Sequence, residues 1–295
     1  MKNKQIQSNL LLLLTAAIWG LAFVAQRVGM DYIGPFTFNA VRFLLGSISL
    51  IPAIRIFYSN ESDRKIDKRV IKYGIIAGIF LFAGSSLQQV GLIYTTAAKA
   101  GFITSLYIIL VPIIGIFIGQ KTSKNIWIGA VIAVIGLYLL SVKEDLTIGF
   151  GDLLQLIGAF FWAMHIILIG EFSNKVNPLR LSQIQFATCS LLSFIVALLF
   201  ENIEVSSIVS AYAPILYGGI LSVGVAYTLQ VVAQKNAKAG PAAIALSMEA
   251  VFAVIGGILF LNESLDIRGY VGCGLMLAGM LISQLDAFKL NKQYQ

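Results

Sequence analysis

Apolar residues in this chain come in long blocks, with no strand-like alternation and no helical stripe. Ten blocks, at 9–26, 35–57, 73–95, 99–119, 125–142, 151–170, 179–200, 212–234, 241–261 and 268–285, carry almost no charge. Roughly twenty apolar residues are what a helix needs to cross a hydrocarbon layer about 30 Å thick. Backbone groups in lipid have to be satisfied within the segment, so the blocks predict helices; a membrane barrel would show short alternating segments instead. The pattern predicts an all-α integral membrane protein with ten transmembrane helices. The longest connection, about 58–72, is charged and leaves no room for a soluble domain.

Composition agrees: 58% of the 295 residues are apolar and 12% charged, against about 25% charged in soluble domains. A soluble globular protein, a disordered chain and a secreted disulfide scaffold are excluded. A net charge of +7 would suggest nucleic acid in a soluble protein. Here the basic residues sit in short loops, so the expected partners are the lipid bilayer and a small-molecule substrate, with no nucleic acid. With the N-terminus inside, sixteen basic residues fall in the tails and even-numbered loops. Four, Arg27, Lys99, Lys143 and Arg268, fall in the outer loops, and Arg42 lies within a span. That bias predicts a multi-pass protein of the cell (plasma) membrane with both termini cytoplasmic. Lys2 and Lys4 before Leu10 to Leu14 imitate a secretory signal, but the apolar run continues past Val24, as expected of a retained first span.

The chain also repeats itself. A shift of 143 positions pairs Ala16 with Ala159, Trp19 with Trp162, Pro35 with Pro178, Phe43 with Phe186, Gln120 with Glu263, Gly129 with Gly272 and Gly136 with Gly279. In a slightly slipped register, Leu87-Gln88 matches Leu229-Gln230 and Ala98-Lys99-Ala100-Gly101 matches Ala237-Lys238-Ala239-Gly240. Two five-helix units follow, 1–145 and 146–295. Because five is odd, the second enters the membrane upside down, the inverted-repeat plan of many secondary transporters.

The chain resembles the EamA-type ten-helix branch of the drug/metabolite transporter superfamily. The resemblance rests on Ala17-Ile18-Trp19-Gly20 and Phe161-Trp162-Ala163, on the run from Pro35 to Phe43, and on Ala98-Lys99-Ala100-Gly101-Phe102. Leu246-Ser247-Met248-Glu249-Ala250 and Leu261-Asn262-Glu263-Ser264-Leu265 complete it. The motifs are short; their order across nearly the whole chain is the specific part. The resemblance implies ten helices around a central cavity, lined mainly by the first, third and fourth helix of each half. It also implies export or permeation of small metabolites. Two departures, Gly119-Gln120 where a small residue and Glu are usual and Ala250 where proline is common, bear on subfamily rather than fold.

Polar residues inside the spans are the candidates for chemistry, because a charge at mid-bilayer costs about 2.5–3.5 kcal/mol on insertion scales. Glu249, nine residues into its span, is the first proton-coupling candidate, or the partner of a substrate amine. His165, three residues after Trp162 and so on roughly the same face, is the second. Each has a plainer reading, as a helix-packing carboxylate and as a histidine bonded to backbone. Arg42 reads as a snorkelling or bracing residue, with a gate as the functional alternative. Gln88, Gln89 and Gln230 suit either a polar substrate or inter-helix bonding. Trp19, Trp162, Tyr107 and Tyr227 suit either cavity stacking or packing. Lys99 and Lys238 begin equivalent helices at opposite mouths, beside Gly101 and Gly240 as candidate hinges. Gly129 with Gly136, Gly272 with Gly279, and the GxxxG pairs Gly74–Gly78 and Gly115–Gly119 predict close helix contacts. The same spacings also admit a homodimer seam.

No phosphate-binding loop and no GxSxG elbow occurs, and one histidine and two separated cysteines make no metal-ligand set. No cofactor, metal or enzymatic activity is expected. The reading is a secondary active transporter of small metabolites such as amino acids or amines, most simply an exporter, working by alternating access with proton coupling as an option. The alternatives are a passive channel or facilitator, or an integral-membrane enzyme or sensor acting on a lipid-linked group.

Overall fold

The computed structural model describes residues 2–57, 67–95, 97–120, 122–141, 149–261 and 266–285, and among them there is no strand. The helices are α1 (Lys2–Gly29), α2 (Pro35–Phe57), α3 (Lys68–Tyr94), α4 (Ala97–Ser105), α5 (Tyr107–Phe117), α6 (Lys124–Ser141) and α7 (Phe150–Phe172). They continue as α8 (Pro178–Phe200), the short α9 (Val205–Ser210), α10 (Tyr212–Gln234), α11 (Ala239–Leu246), α12 (Glu249–Leu261) and α13 (Ile267–Ser283). Seven stretches are long and apolar enough to cross a membrane: α1, α2, α3, Ala100–Phe117 through α4 and α5, α7, α8 and α10. Three shorter apolar helices occupy Lys124–Leu140, Ala239–Ile255 and Ile267–Ser283.

Polarity is inside out. Large apolar side chains cover the outer faces, Phe117 at 85% exposure among them, while Gln89, Gln155, Gln185, Gln230 and His165 are fully buried. A soluble protein could not keep so much apolar surface in water; lipid removes that penalty and leaves the polar groups to one another.

Sequence and structure differ in three places. Lys68, Arg69 and Lys72, expected in the longest loop, belong to the start of α3, because the Asp67 carboxylate accepts from the Val70 N–H at 2.8 Å and caps the helix early. Gly115 and Gly119 make no close helix contact. Gly119 has φ +81°, and the Gln120 N–H reaches back to the Gly115 carbonyl, a left-handed termination of α5. Gly101 and Gly240 are not helix breaks, since they lie inside α4 and α11. The chain breaks instead at Leu106 and at Ser247–Met248, each time one or two residues after a run ending near a serine. Arg64, Lys65, Lys121, Lys143, Glu263, Lys289 and Lys292, and the side chains of Lys2, Ala98 and Lys99, lie outside the described residues.

Packing follows the small residues. α6 and α13 lie against each other so closely that a methyl group on Gly129 would sit 2.6 Å from the Gly279 carbonyl oxygen. One on Gly136 would meet the Gly272 carbonyl oxygen at 2.6 Å. The 143-residue shift turns the first contact into the second with partners exchanged. α2 packs along α8, α3 packs on α7 and α8, and α1 packs on α10 and α12. Gly74 and Gly78 do bring α3 onto α8, against Ile184 and Thr188.

The N-terminus of α2 is capped from afar. Glu201, just past α8, accepts from the Phe36 and Thr37 N–H groups, both at 2.8 Å, and from the Thr37 hydroxyl at 2.6 Å. Asn177 does this job locally for α8, accepting from Leu179 and Arg180. Gly34 stands at the matching position before α2, and any side chain there would strike the Glu201 carboxylate. That contact ties α2 to the end of α8 and fixes the wall on which Arg42 sits.

Candidate functional site

Tyr227 is the hub of the interior. Its ring lies 4.5 Å from Trp19, 6.1 Å from Trp162 in a stacked orientation, 6.2 Å from His165 edge-on, and 6.1 and 6.0 Å from Phe43 and Phe186, centroid to centroid. It ends a π-helical stretch of α10, Tyr217–Tyr227. Irregular turns of this kind redirect carbonyls toward neighbours, and α1 uses them: Thr15 donates to the Ala226 carbonyl and Trp19 Nε1 to that of Ser222. Gly219 and Gly224 let α2 close over the other side, against Leu45 and Ser49.

Beside this hub is a narrow cavity of about 40 Å³. It gathers Trp19, Gln88, Tyr107, Trp162, His165, Tyr227, Gln230 and Glu249, eight of the nine residues named from sequence as lining candidates, and Arg42, named as a gate. Gln89 is turned away and donates to the Gln26 carbonyl at 3.2 Å. Gln26, Thr104 and Ser222 also line the cavity and carried no sequence signal.

Arg42 is 2% exposed, so it does not snorkel to a headgroup. Its Nε donates to Asn39 Oδ1 at 2.9 Å, and its guanidinium carbon lies 4.9 Å from the centre of the Phe43 ring and 5.4 Å from that of Phe38. Among the described residues no carboxylate is paired with it. Glu249 begins α12 immediately after the break, and Tyr107 begins α5 immediately after the other break. The Tyr107 hydroxyl donates to Glu249 Oε1 at 3.0 Å. The two are 142 residues apart, the register that also pairs Gln88 with Gln230. Matching positions of two broken helices therefore bond to each other across the cavity.

His165 Nε2 contacts the Gln185 amide oxygen at 2.9 Å, so that nitrogen donates. Gln185 is the position 143 residues beyond Arg42 and Ala22 the one 143 before His165. The two halves thus offer alike aromatic walls and unlike polar groups.

Two wider cavities lie nearer the ends. One, of about 420 Å³, is bounded by Gln120, Thr122, Glu171, Asn174, Lys235 and Lys238 among others. There Lys175 donates to Glu171 at 2.9 Å, a bond that raises the lysine's pKa. The other, of about 450 Å³, is bounded by Arg27, Asp31, Tyr32 and Glu204 among others. Lys238 is exposed at the start of α11; the matching Lys99 side chain is not described. Among the described residues no group of three or more His, Cys, Asp or Glu could hold a metal ion.

The EamA-like transporter family matches this architecture twice, over residues 7–142 and 149–284. The chain belongs to the EamA-like transporter family. It is similar to an uncharacterized transporter of Archaeoglobus fulgidus, 32% identical over 96% of this chain and 87% of the relative. It is similar also to the uncharacterized transporter YoaV of Bacillus subtilis, 23% identical over 90% of this chain and 92% of the relative. A solved crystal structure superposes with a TM-score of 0.78 at 19% identity, covering 96% of this chain and 98% of that one, a likeness of fold. The EamA-like chain is a multi-pass membrane transporter, and its family membership points away from an enzyme.

Proposed function

We propose that this EamA-like protein is a secondary active transporter that exports small metabolites of the amino-acid or amine class through the central cavity by alternating access. The observation that carries the reading is the cavity's charge pattern: a guanidinium, Arg42, and a carboxyl, Glu249, in one aromatic-walled space. Such a pair suits a molecule with a carboxylate and an amine. Glu249 alone, among tryptophan and tyrosine faces, suits an amine.

All ten apolar segments cross the bilayer in this reading, as two inverted five-helix repeats, 1–145 and 146–295. Both termini face the cytoplasm of a cell whose plasma membrane holds the protein. The exchanged glycine contacts of α6 and α13 support the repeat, as does the Tyr107–Glu249 bond between matching positions. With that topology the wide cavity beside Lys235 and Lys238 is the inner mouth and the one beside Arg27 the outer mouth. The halves rock about the central cavity, and the breaks at Leu106 and Ser247–Met248 let parts of the broken helices move separately. Glu249 carries the coupling proton, and His165 is the alternative carrier. One charge moving through 100 mV contributes about 2.3 kcal/mol, a nearly fifty-fold concentration ratio.

Glu249→Gln keeps the size and the Tyr107 bond but holds no exchangeable charge. It is expected to abolish pH-driven uptake into proteoliposomes while leaving counterflow of a solute that carries a carboxylate and no amine within about twofold of wild type. Unchanged pH-driven uptake would remove Glu249 from the mechanism.

A further inference from the structure

Five buried polar atoms on four cavity-lining residues have no hydrogen-bond partner among the described residues. They are Gln26 Oε1 on α1, and Gln230 Nε2 and Oε1, Trp162 Nε1 and His165 Nδ1. In a helix bundle surrounded by lipid such groups are costly, and native interiors leave few of them. All but Gln26 Oε1 belong to α7 and α10. The first-half counterpart of Trp162 is satisfied, since Trp19 Nε1 donates to Ser222, and the counterpart of His165 is Ala22, which has no polar atom to satisfy. The unmet demand therefore falls mostly on one wall, and the repeat does not explain it.

The inventory on that wall is specific. Gln230 Nε2 and Trp162 Nε1 are donors and Gln230 Oε1 is an acceptor. His165 donates from Nε2 to the Gln185 oxygen, which leaves Nδ1 as a second acceptor. That wall therefore holds two donors and two acceptors without partners among the described residues. We infer that this wall is a subsite selecting substrates that carry an uncharged primary carboxamide. A carboxamide has two N–H groups for Gln230 Oε1 and His165 Nδ1, and one oxygen with two lone pairs for Gln230 Nε2 and Trp162 Nε1. The match is four for four. A carboxylate brings no donor, an ammonium no acceptor, and a hydroxyl a single proton. The subsite deepens the transport reading, on which it rests, by naming one functional group of the substrate.

Binding of three probes to the purified full chain in detergent, by calorimetry, tests this. Nicotinamide carries the carboxamide. 3-Acetylpyridine keeps ring and carbonyl but has methyl for the amide nitrogen. Nicotinate has a carboxylate, which Arg42 can also attract. Wild type is expected to bind nicotinamide about tenfold tighter than 3-acetylpyridine, the loss of two buried hydrogen bonds. Gln230→Met should bring the two to parity, and Trp162→Phe, which removes the N–H together with the five-membered ring, should fall between. Equal wild-type binding of the amide and the ketone overturns the subsite while leaving the cavity as the ligand site. No binding of any probe, or nicotinamide binding untouched by Ala22→Leu, which narrows the cavity, overturns the subsite and the transport-site reading together.

Discussion

Gly136→Leu is expected to leave almost no folded protein. The α6–α13 contact has no room for a side chain: the first added carbon would lie 2.6 Å from the Gly272 carbonyl oxygen and 2.7 Å from the Met276 nitrogen. Both are backbone atoms of a helix and cannot step aside as a side-chain tip would. The helices would have to separate, losing the contact along their shared length, including that at Gly129 and Gly279. Overpacking a core costs about 1–3 kcal/mol where side chains can adjust. Against backbone the cost is higher, and folded proteins have only about 5–15 kcal/mol in reserve. Gly274→Leu is the matched control. It lies on the partner helix α13, and a methyl group there would meet nothing within 4 Å. In fluorescence-detected size-exclusion, Gly136→Leu should lose at least about tenfold of the monodisperse peak and Gly274→Leu less than about twofold. Equal peaks would mean that this contact does not hold the bundle together.

Arg42→Gln is expected to reduce transport of carboxylate-bearing solutes about a hundredfold without lowering the melting temperature. The substituted residue is the one already found at the matching position of the second half, Gln185. Arg42 is buried with a neutral hydrogen-bond partner and two aromatic faces around it. Removing a buried charge that lacks an opposite charge is neutral or stabilising on folding. Removing a donor that meets a substrate carboxylate inside a protein costs about 2–5 kcal/mol of binding. A bracing residue behaves the other way, with a lower melting temperature and unchanged transport per folded molecule. Thermal unfolding and uptake measured on the same preparation separate the two.

Several of these residues were readable from the chain itself, and for a definable reason. Long uncharged blocks have one stable solution in lipid, and seven of the ten coincide with helices long and apolar enough to cross a membrane, α2 at 35–57 included. Buried charge is costly enough that Glu249 and Arg42 stand apart from the basic and acidic residues of the loops, tails and helix ends. The helix breaks were not readable. Breaks are signalled by glycine and proline, and here those residues lie off the breaks, at Gly101, Pro112 and Gly240, while Leu106 and Ser247–Met248 have ordinary helical chemistry. The Tyr107–Glu249 bond was hidden for another reason. The register that pairs Gln88 with Gln230 also pairs these two, but similarity searches reward like residues, and here the repeat holds a phenol opposite a carboxyl. Arg42 with Gln185 and Ala22 with His165 are hidden in the same way. Positions where a duplicated scaffold departs from itself are where a cavity acquires direction, and only the packed structure shows which departures face the same space. The Glu201 cap is tertiary, because its carboxylate reaches α2 from more than 160 residues away.

The central claim is that a solute crosses through the Arg42–Glu249 cavity by alternating exposure. Trans-stimulation tests it most directly. Purified protein in proteoliposomes is loaded with unlabelled amino acid or amine, and entry of the labelled solute is timed with no ion gradient. Alternating access predicts entry several times faster than into empty vesicles, abolished by Arg42→Gln for a carboxylate-bearing solute. Entry at the same rate with and without internal solute, rising linearly with concentration, would mean an open pore and would contradict the account.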